Sequence, residues 1–185
     1  MKPNPLQNQT YDYREEQLKR IIKQYGESIL RLCYSYVKDQ AKSEDILQDT
    51  MLTVYLQMDN LREKQAIKSW IYRIAINKCK DYLKSWHYKQ IRLSQMLTFT
   101  ASSNEKSIEL KLIIQDETEQ LIQEIMKLKP KHREVILLFY YEELSLQEIE
   151  QVLGINSSTV KSRLYQARQL LKSRLEKTGG STFGR

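Results

Sequence analysis

Turn-forming residues are scarce in this chain. Of 185 residues, five are glycine and three are proline, about 4% together against roughly 12% in an average protein. A β-sandwich or barrel needs a turn every ~8–12 residues, so the scarcity excludes both and points to an all-α fold. Long apolar runs are missing too. The longest, Val135–Tyr141, has seven residues, against the ~20 that cross a bilayer as a helix, so direct membrane insertion is not expected. The opening stretch, MKPNPLQNQT, is polar and lacks the apolar segment of a secretory signal. There are two cysteines, Cys33 and Cys79, each in an apolar stripe and without a nearby histidine. Such a pair makes a poor metal site, and it reads as two reduced core thiols in a cytoplasmic protein.

Catalytic signatures are also lacking. There is no Gly-rich phosphate loop and no cluster of His, Cys and carboxylates at ligand spacing. The two histidines, His87 and His132, stand apart beside basic residues and read as surface groups. The expectation is therefore a protein that is not an enzyme and holds no metal or cofactor.

Positive charge is what the chain has in excess. Lys and Arg total 30 and Asp and Glu 23, for a net charge of +7, and 41% of residues are hydrophobic. That apolar share supports compact cores. The charge falls in blocks. Residues 39–59 sum to −4, residues 62–92 to +7, residues 96–120 to −3 and residues 157–177 to +5. Two separated basic blocks point to two surfaces that meet a polyanion.

Helical spacing divides the chain into two domains, over residues 10–92 and 117–177. In the first, Leu18, Ile21, Ile22, Tyr25, Ile29, Leu32 and Tyr36 recur at steps of three and four, predicting a helix over about 13–37 that Gly26 could bend. A second helix is expected over 40–57, with Leu47, Met51, Val54, Tyr55 and Met58 inward. After a polar loop, Asp59–Gln65, a third is expected over 66–90, with Ile67, Trp70, Ile71, Ile74, Ala75 and Leu83 inward. Residues 93–116 read as a flexible linker, whose 24 residues would span roughly 27 Å. In the second domain Leu121, Ile122, Ile125 and Met126 mark a helix. Pro130 suits the first turn of the next, with Val135, Ile136 and Phe139 as its core face. Residues 178–185 read as a frayed tail.

The last fifty residues carry a helix-turn-helix pattern. Ser145 and Glu148 form a capping box that opens a short helix with Ile149, Val152 and Leu153 inward. Gly154 suits a left-handed position after that helix, and Asn156 can cap the next. In this second helix Val160, Leu164, Ala167 and Leu171 step by 4, 3, 4 and should be buried. Lys161, Tyr165, Arg168 and Lys172 repeat the same steps one residue later, with Ser162 and Arg163 near their start. A cationic face bearing hydroxyl and aromatic groups suits a DNA major groove. The competing reading is a solvated basic face on an ordinary helical hairpin.

The third helix of the first domain carries a similar stripe. Arg73, Asn77, Lys80 and Lys84 also step by 4, 3, 4, and Trp70, Tyr72, Tyr82, Trp86 and Tyr88 are interleaved with bases. Aromatics among cations can stack on unpaired bases while the cations hold phosphates. Trp70, however, sits at apolar spacing and reads as core more readily than as a platform. The second helix has the opposite character. Its Glu44, Asp45, Gln48 and Asp49 suit docking on a basic protein partner, or else form a solvated face.

Three stretches in order, SEDILQDTMLTVYL (43–56), SWIYRIAINKCKDYLK (69–84) and LKPKHREVILLFYYEELSLQEIEQVLGINSSTVKSRLYQARQLL (128–171), resemble an extracytoplasmic-function (ECF) sigma factor. These are small, two-domain alternative sigma factors of bacterial RNA polymerase. The resemblance spans about residues 15–92 and 117–175. It implies that Glu44, Asp45, Gln48 and Asp49 dock on the coiled-coil clamp of the largest polymerase subunit. It implies that the 59–65 loop and Trp70, Tyr72, Arg73, Asn77, Lys80 and Asp81 open the minus-ten element and capture an unstacked base of the non-template strand; Lys84 extends that stripe. It implies that Lys161, Ser162, Arg163, Tyr165 and Arg168 read the duplex minus-thirty-five element, with Lys172 continuing the face. An anti-sigma partner, often membrane-bound, and a role in a stress or envelope response follow from the same resemblance. Gln166 stands where the family often has arginine, and Glu150 where it has alanine. The alternative is a stand-alone helix-turn-helix regulator, which would leave the acidic helix and the aromatic basic helix unexplained.

Overall fold

A computed structural model describes residues 5–60, 67–85 and 116–177. The expectations for most of the 59–65 loop, for Trp86, His87 and Tyr88, for the linker and for the tail lie outside those residues. All described elements are helical: α1 (Pro5–Val37), α2 (Gln40–Gln57) with a 3₁₀ turn at Met58–Asn60, α3 (Ile67–Lys84), α4 (Asp116–Lys127), α5 (Pro130–Ile136), α6 (Leu146–Leu153) and α7 (Ser157–Lys177). A π-helical turn, Leu137–Tyr141, continues α5. The helices are organised in two compact units, the first built on α1–α3 and the second on α4, α5 and α7.

In the first unit α1 packs along α2. The helix α1 begins eight residues before the apolar spacing can show it, because residues 5–12 carry no stripe. It runs unbroken through Gly26 and ends at Lys38, whose φ of 56° places it in the left-handed region. Asp39 then caps α2, its carboxylate accepting from the Lys42 amide at 2.9 Å. The core gathers Ile29, Leu32, Cys33, Val54, Ile71, Tyr72, Ala75, Ile76 and Cys79. Ile22, expected inward, is 44% exposed; it lies one position, or ~100°, around the helix from buried Ile21 and so falls at the stripe's edge. The buried face of α2 also includes two small polar residues. Ser43 and Thr50 donate to the carbonyls of Asp39 and Ile46, at 2.6 and 2.7 Å, which removes the cost of burying their hydroxyls. Cys33 and Cys79 are free, buried and hydrogen-bonded to one another. That contact, with burial, pushes the Cys33 thiol far above its ordinary value, so it stays protonated.

In the second unit Pro130 occupies the first turn of α5, as its missing N–H allows. The π turn widens the helix so that the Glu142 amide donates to Leu137, five residues back, at 3.0 Å. Glu143 follows with a φ of 51°, a left-handed conformation on a residue with a side chain. Against α5 lies α7, and α4 packs against both.

Candidate nucleic-acid interface

The turn before α7 is built as the residues dictate. Ser145 and Glu148 bond reciprocally: the Ser145 amide donates to the Glu148 carboxylate at 2.8 Å, and the Glu148 amide donates back to the Ser145 hydroxyl at 3.2 Å. The helix α6 ends at Gly154, whose φ of 65° is left-handed. Asn156 then caps α7, accepting from the Thr159 amide at 2.8 Å. Val160, Leu164, Ala167 and Leu171 are all buried. Burying a valine or leucine contributes about 1.5–3 kcal/mol, against roughly 0–1 for an exposed ion pair. The apolar stripe therefore sets the rotation of α7, and the adjacent stripe must face outward. Lys161, Ser162, Tyr165, Gln166, Arg168 and Lys172 are all exposed, Tyr165 at 64%.

The arginines of α7 are held from behind. Arg163 is only partly exposed, and its guanidinium donates at 2.8 Å to the buried carboxylate of Glu134 on α5. His132, also on α5, bonds to the Arg163 backbone. Arg174 reaches the buried Glu124 of α4 at 3.4 Å, and Lys127 meets the same carboxylate at 2.6 Å. The Lys127 contact leads in holding Glu124 below the usual carboxylate range, against its burial. Arg168 donates from Nε to the Tyr140 hydroxyl at 2.7 Å. The sequence could not show these tethers, because their partners lie 28–50 residues away. Arg163, expected to read DNA, is thus set apart from the exposed stripe, its guanidinium engaged by Glu134.

His132 departs from expectation as well. It is buried rather than a surface group, and its Nδ1 has no hydrogen-bond partner among the described residues. Burial leads in lowering its pKa below 6.5; the positive charges of Lys131, Arg163 and Lys129 add to this, and the bond to the Arg163 backbone opposes it.

On α3 the polar stripe is presented only in part. Arg73, Asn77, Asp81 and Lys84 are exposed, while Trp70, Lys80 and Tyr82 are half-buried. Tyr72 corrects the sequence reading: it is fully buried and among the largest core side chains, so it supports α3 from inside instead of meeting DNA. Lys42 of α2 lies over the Tyr82 ring, 5.1 Å from its centroid, tying α2 to α3.

On α2, Glu44, Asp45, Gln48 and Asp49 are exposed. Leu52 and Leu56, which sequence reasoning passed over, continue that surface at 57% and 63% exposure. Their spacing from Gln48, four and then four, was the available signal. Among the described residues no three of His, Cys, Asp and Glu are placed to hold a metal ion, and no helix is long and apolar enough to cross a membrane.

Comparison with known proteins matches residues 21–87 to the family described as Sigma-70 region 2 and residues 118–171 to Sigma-70, region 4. The RNA polymerase sigma factor SigV of Bacillus subtilis is 31% identical over 156 residues, spanning 84% of this chain and 89% of that one. The ECF RNA polymerase sigma factor SigW of the same organism is 31% identical over 167 residues, spanning 84% and 87%. Among solved structures, CnrH in complex with the cytosolic domain of CnrY aligns with a TM-score of 0.63 at 20% identity, over 88% of this chain and 90% of that one. The sigma factor RpoE in complex with the anti-sigma factor NepR, from Bartonella quintana, aligns at 0.59 and 22% identity, over 87% and 98%. These likenesses and the two matched regions make the chain an ECF sigma factor of the sigma-70 family, which directs RNA polymerase in transcription initiation and is not itself an enzyme.

Proposed function

We propose that the chain divides this task among three surfaces. On α2, Glu44, Asp45, Gln48 and Asp49, extended by Leu52 and Leu56, dock on core RNA polymerase. On α3, Arg73, Asn77, Lys80, Asp81 and Lys84, with the half-buried Trp70, engage the minus-ten element and its unpaired non-template strand. On α7, Lys161, Ser162, Tyr165, Arg168 and Lys172 enter the major groove of the duplex minus-thirty-five element. The observation that carries this reading is the unbroken outward stripe of α7, fixed by the buried stripe beside it.

The physical logic is avidity. Each DNA contact alone is weak, and mounting both on one polymerase raises their effective concentration. Lysines and Arg168 supply salt-dependent phosphate affinity, while Ser162 and Tyr165 reach base edges. A captured base offsets part of the few kcal/mol that unstacking costs. The protein acts in the cytoplasm beside polymerase. The solved complexes of similar sigma factors support a further partner, an anti-sigma factor that holds the chain idle until a stress or envelope signal.

Run-off transcription with reconstituted polymerase tests the division. Charge reversal at Lys161 and Arg168 should abolish initiation that depends on the upstream element and leave co-purification with core polymerase intact. Reversal at Asp45 and Asp49 should do the opposite and weaken core binding. If the first variant initiates normally, the assignment of α7 is wrong.

A further inference from the structure

Arg168 and Tyr140 form a unit whose arrangement exceeds what packing requires. The Arg168 guanidinium lies 5.5 Å from the Tyr140 ring centroid and 5.7 Å from that of Phe139, and these rings meet edge to face, 5.0 Å apart at 79°. Nε donates to the Tyr140 hydroxyl at 2.7 Å. Both residues are exposed, Tyr140 at 50%. No carboxylate among the described residues pairs with Arg168. A tyrosine hydroxyl that accepts a bond still carries its own proton to donate, and an arginine bonded through Nε keeps both terminal NH₂ groups. Two donors of different kinds, side by side and one of them cationic, thus face outward beside the exposed stripe of α7. An acceptor that takes several donors and carries negative charge fits them, and a phosphate does both.

We infer that Tyr140 and Arg168 together clamp one backbone phosphate of the promoter duplex, the tyrosine hydroxyl and the guanidinium each donating to it. The inference rests on the reading that α7 enters the upstream element. It adds a residue from outside that helix, on the π turn that ends α5. The clamp lowers the cost of binding, because the aromatic pair already holds an arginine that would otherwise have to be immobilised. Tyr140 is also a positioning residue for Arg168, since losing its hydroxyl frees Nε.

The test uses polymerase holoenzyme carrying the full chain, on promoter duplexes with a single neutral methylphosphonate placed in turn at each phosphate around the upstream element. With the unaltered protein, one position should weaken binding clearly. Tyr140→Phe keeps the ring stack and should weaken binding to the unmodified promoter about three- to tenfold, the range for one immobilised side chain and its hydrogen bond, with an unchanged melting temperature. Arg168→Ala should weaken it further. In both variants the sensitive methylphosphonate should cost little more, and the dependence of affinity on salt should flatten by about one phosphate contact for Arg168→Ala. Lys161→Ala separates the two readings. If it weakens upstream binding while Tyr140→Phe does not, or if Tyr140→Phe acts equally at every methylphosphonate position, the clamp is overturned and the assignment of α7 stands. If Lys161→Ala is also without effect, both fall.

Discussion

The helices α3 and α7 carry the same written pattern, a polar and basic stripe stepping by 4, 3, 4 beside an apolar one, yet they use it differently. In α7 all four apolar positions are buried and the four neighbouring positions are exposed. In α3 the buried set is Ser69, Ile71, Tyr72, Ala75, Ile76 and Cys79, which includes an aromatic and two small polar or thiol side chains. The difference lies in residue type. Val and Leu gain chiefly from burial, whereas a tyrosine pairs a large apolar ring with a hydroxyl and is at home in a core or on a surface. A basic stripe is therefore informative when the stripe beside it is plainly aliphatic, and ambiguous when aromatics are interleaved. The basic residues of α7 divide further, since Arg163 and Arg174 reach back to buried carboxylates while Lys161 and Lys172 are exposed.

The comparison breaks most readily at Tyr72. Tyr72→Ala should cost about 4 kcal/mol, as for other large aromatic core truncations, measured by denaturant unfolding of the N-terminal unit. A loss below about 1 kcal/mol, with defective promoter opening, would return Tyr72 to the surface role that the sequence implied. Next is Arg163→Ala. Removing the Arg163 guanidinium from the buried Glu134 carboxylate should cost about 1.5–3 kcal/mol, as for a hydrogen bond to a charged group, and Arg163→Ala with Glu134→Gln should recover part of it. If Arg163 reads bases instead, stability will hold and only sequence preference will shift.

Smaller effects come from titration. His132 has its pKa lowered in the fold, so the unfolded chain takes up the proton first. Its contribution is complete above pH 6.5 and is lost as pH falls below that value. Glu124 is also lowered, so its contribution is complete above 4.5 and is lost as pH falls through its folded value. Unfolding followed from pH 8 to 3 should show both declines. His132→Leu should flatten the first and leave the second. The smallest effect expected is a gain. Glu143→Gly relieves the left-handed φ of 51° and should add about 0.5–1 kcal/mol; a loss would mean that the Glu143 side chain makes a contribution larger than its strain.

Much of the fold was legible in the sequence because the signals were local. The capping box at Ser145, the turn at Gly154, the cap at Asn156 and the bounds of α2 all rest on residues within four positions of one another. What stayed hidden depends on distant partners. His132 sits beside lysines in sequence and is buried because α5 packs on α7. Glu134 and Glu124 look like solvated acids until the arginines of α7 arrive. The exposed face of α2 was half legible: its acids stood out, while Leu52 and Leu56 were passed over because the sequence does not reveal that α1 packs along this helix.

The central claim is that the outward stripe of α7 lies against promoter DNA when the chain is mounted on polymerase. A photo-crosslinking residue in place of Tyr165, activated in the assembled holoenzyme on promoter DNA, tests it directly. Crosslinks should map to the duplex upstream element and vanish when that element is scrambled. Crosslinks to polymerase subunits alone, or to DNA regardless of its sequence, would contradict the account.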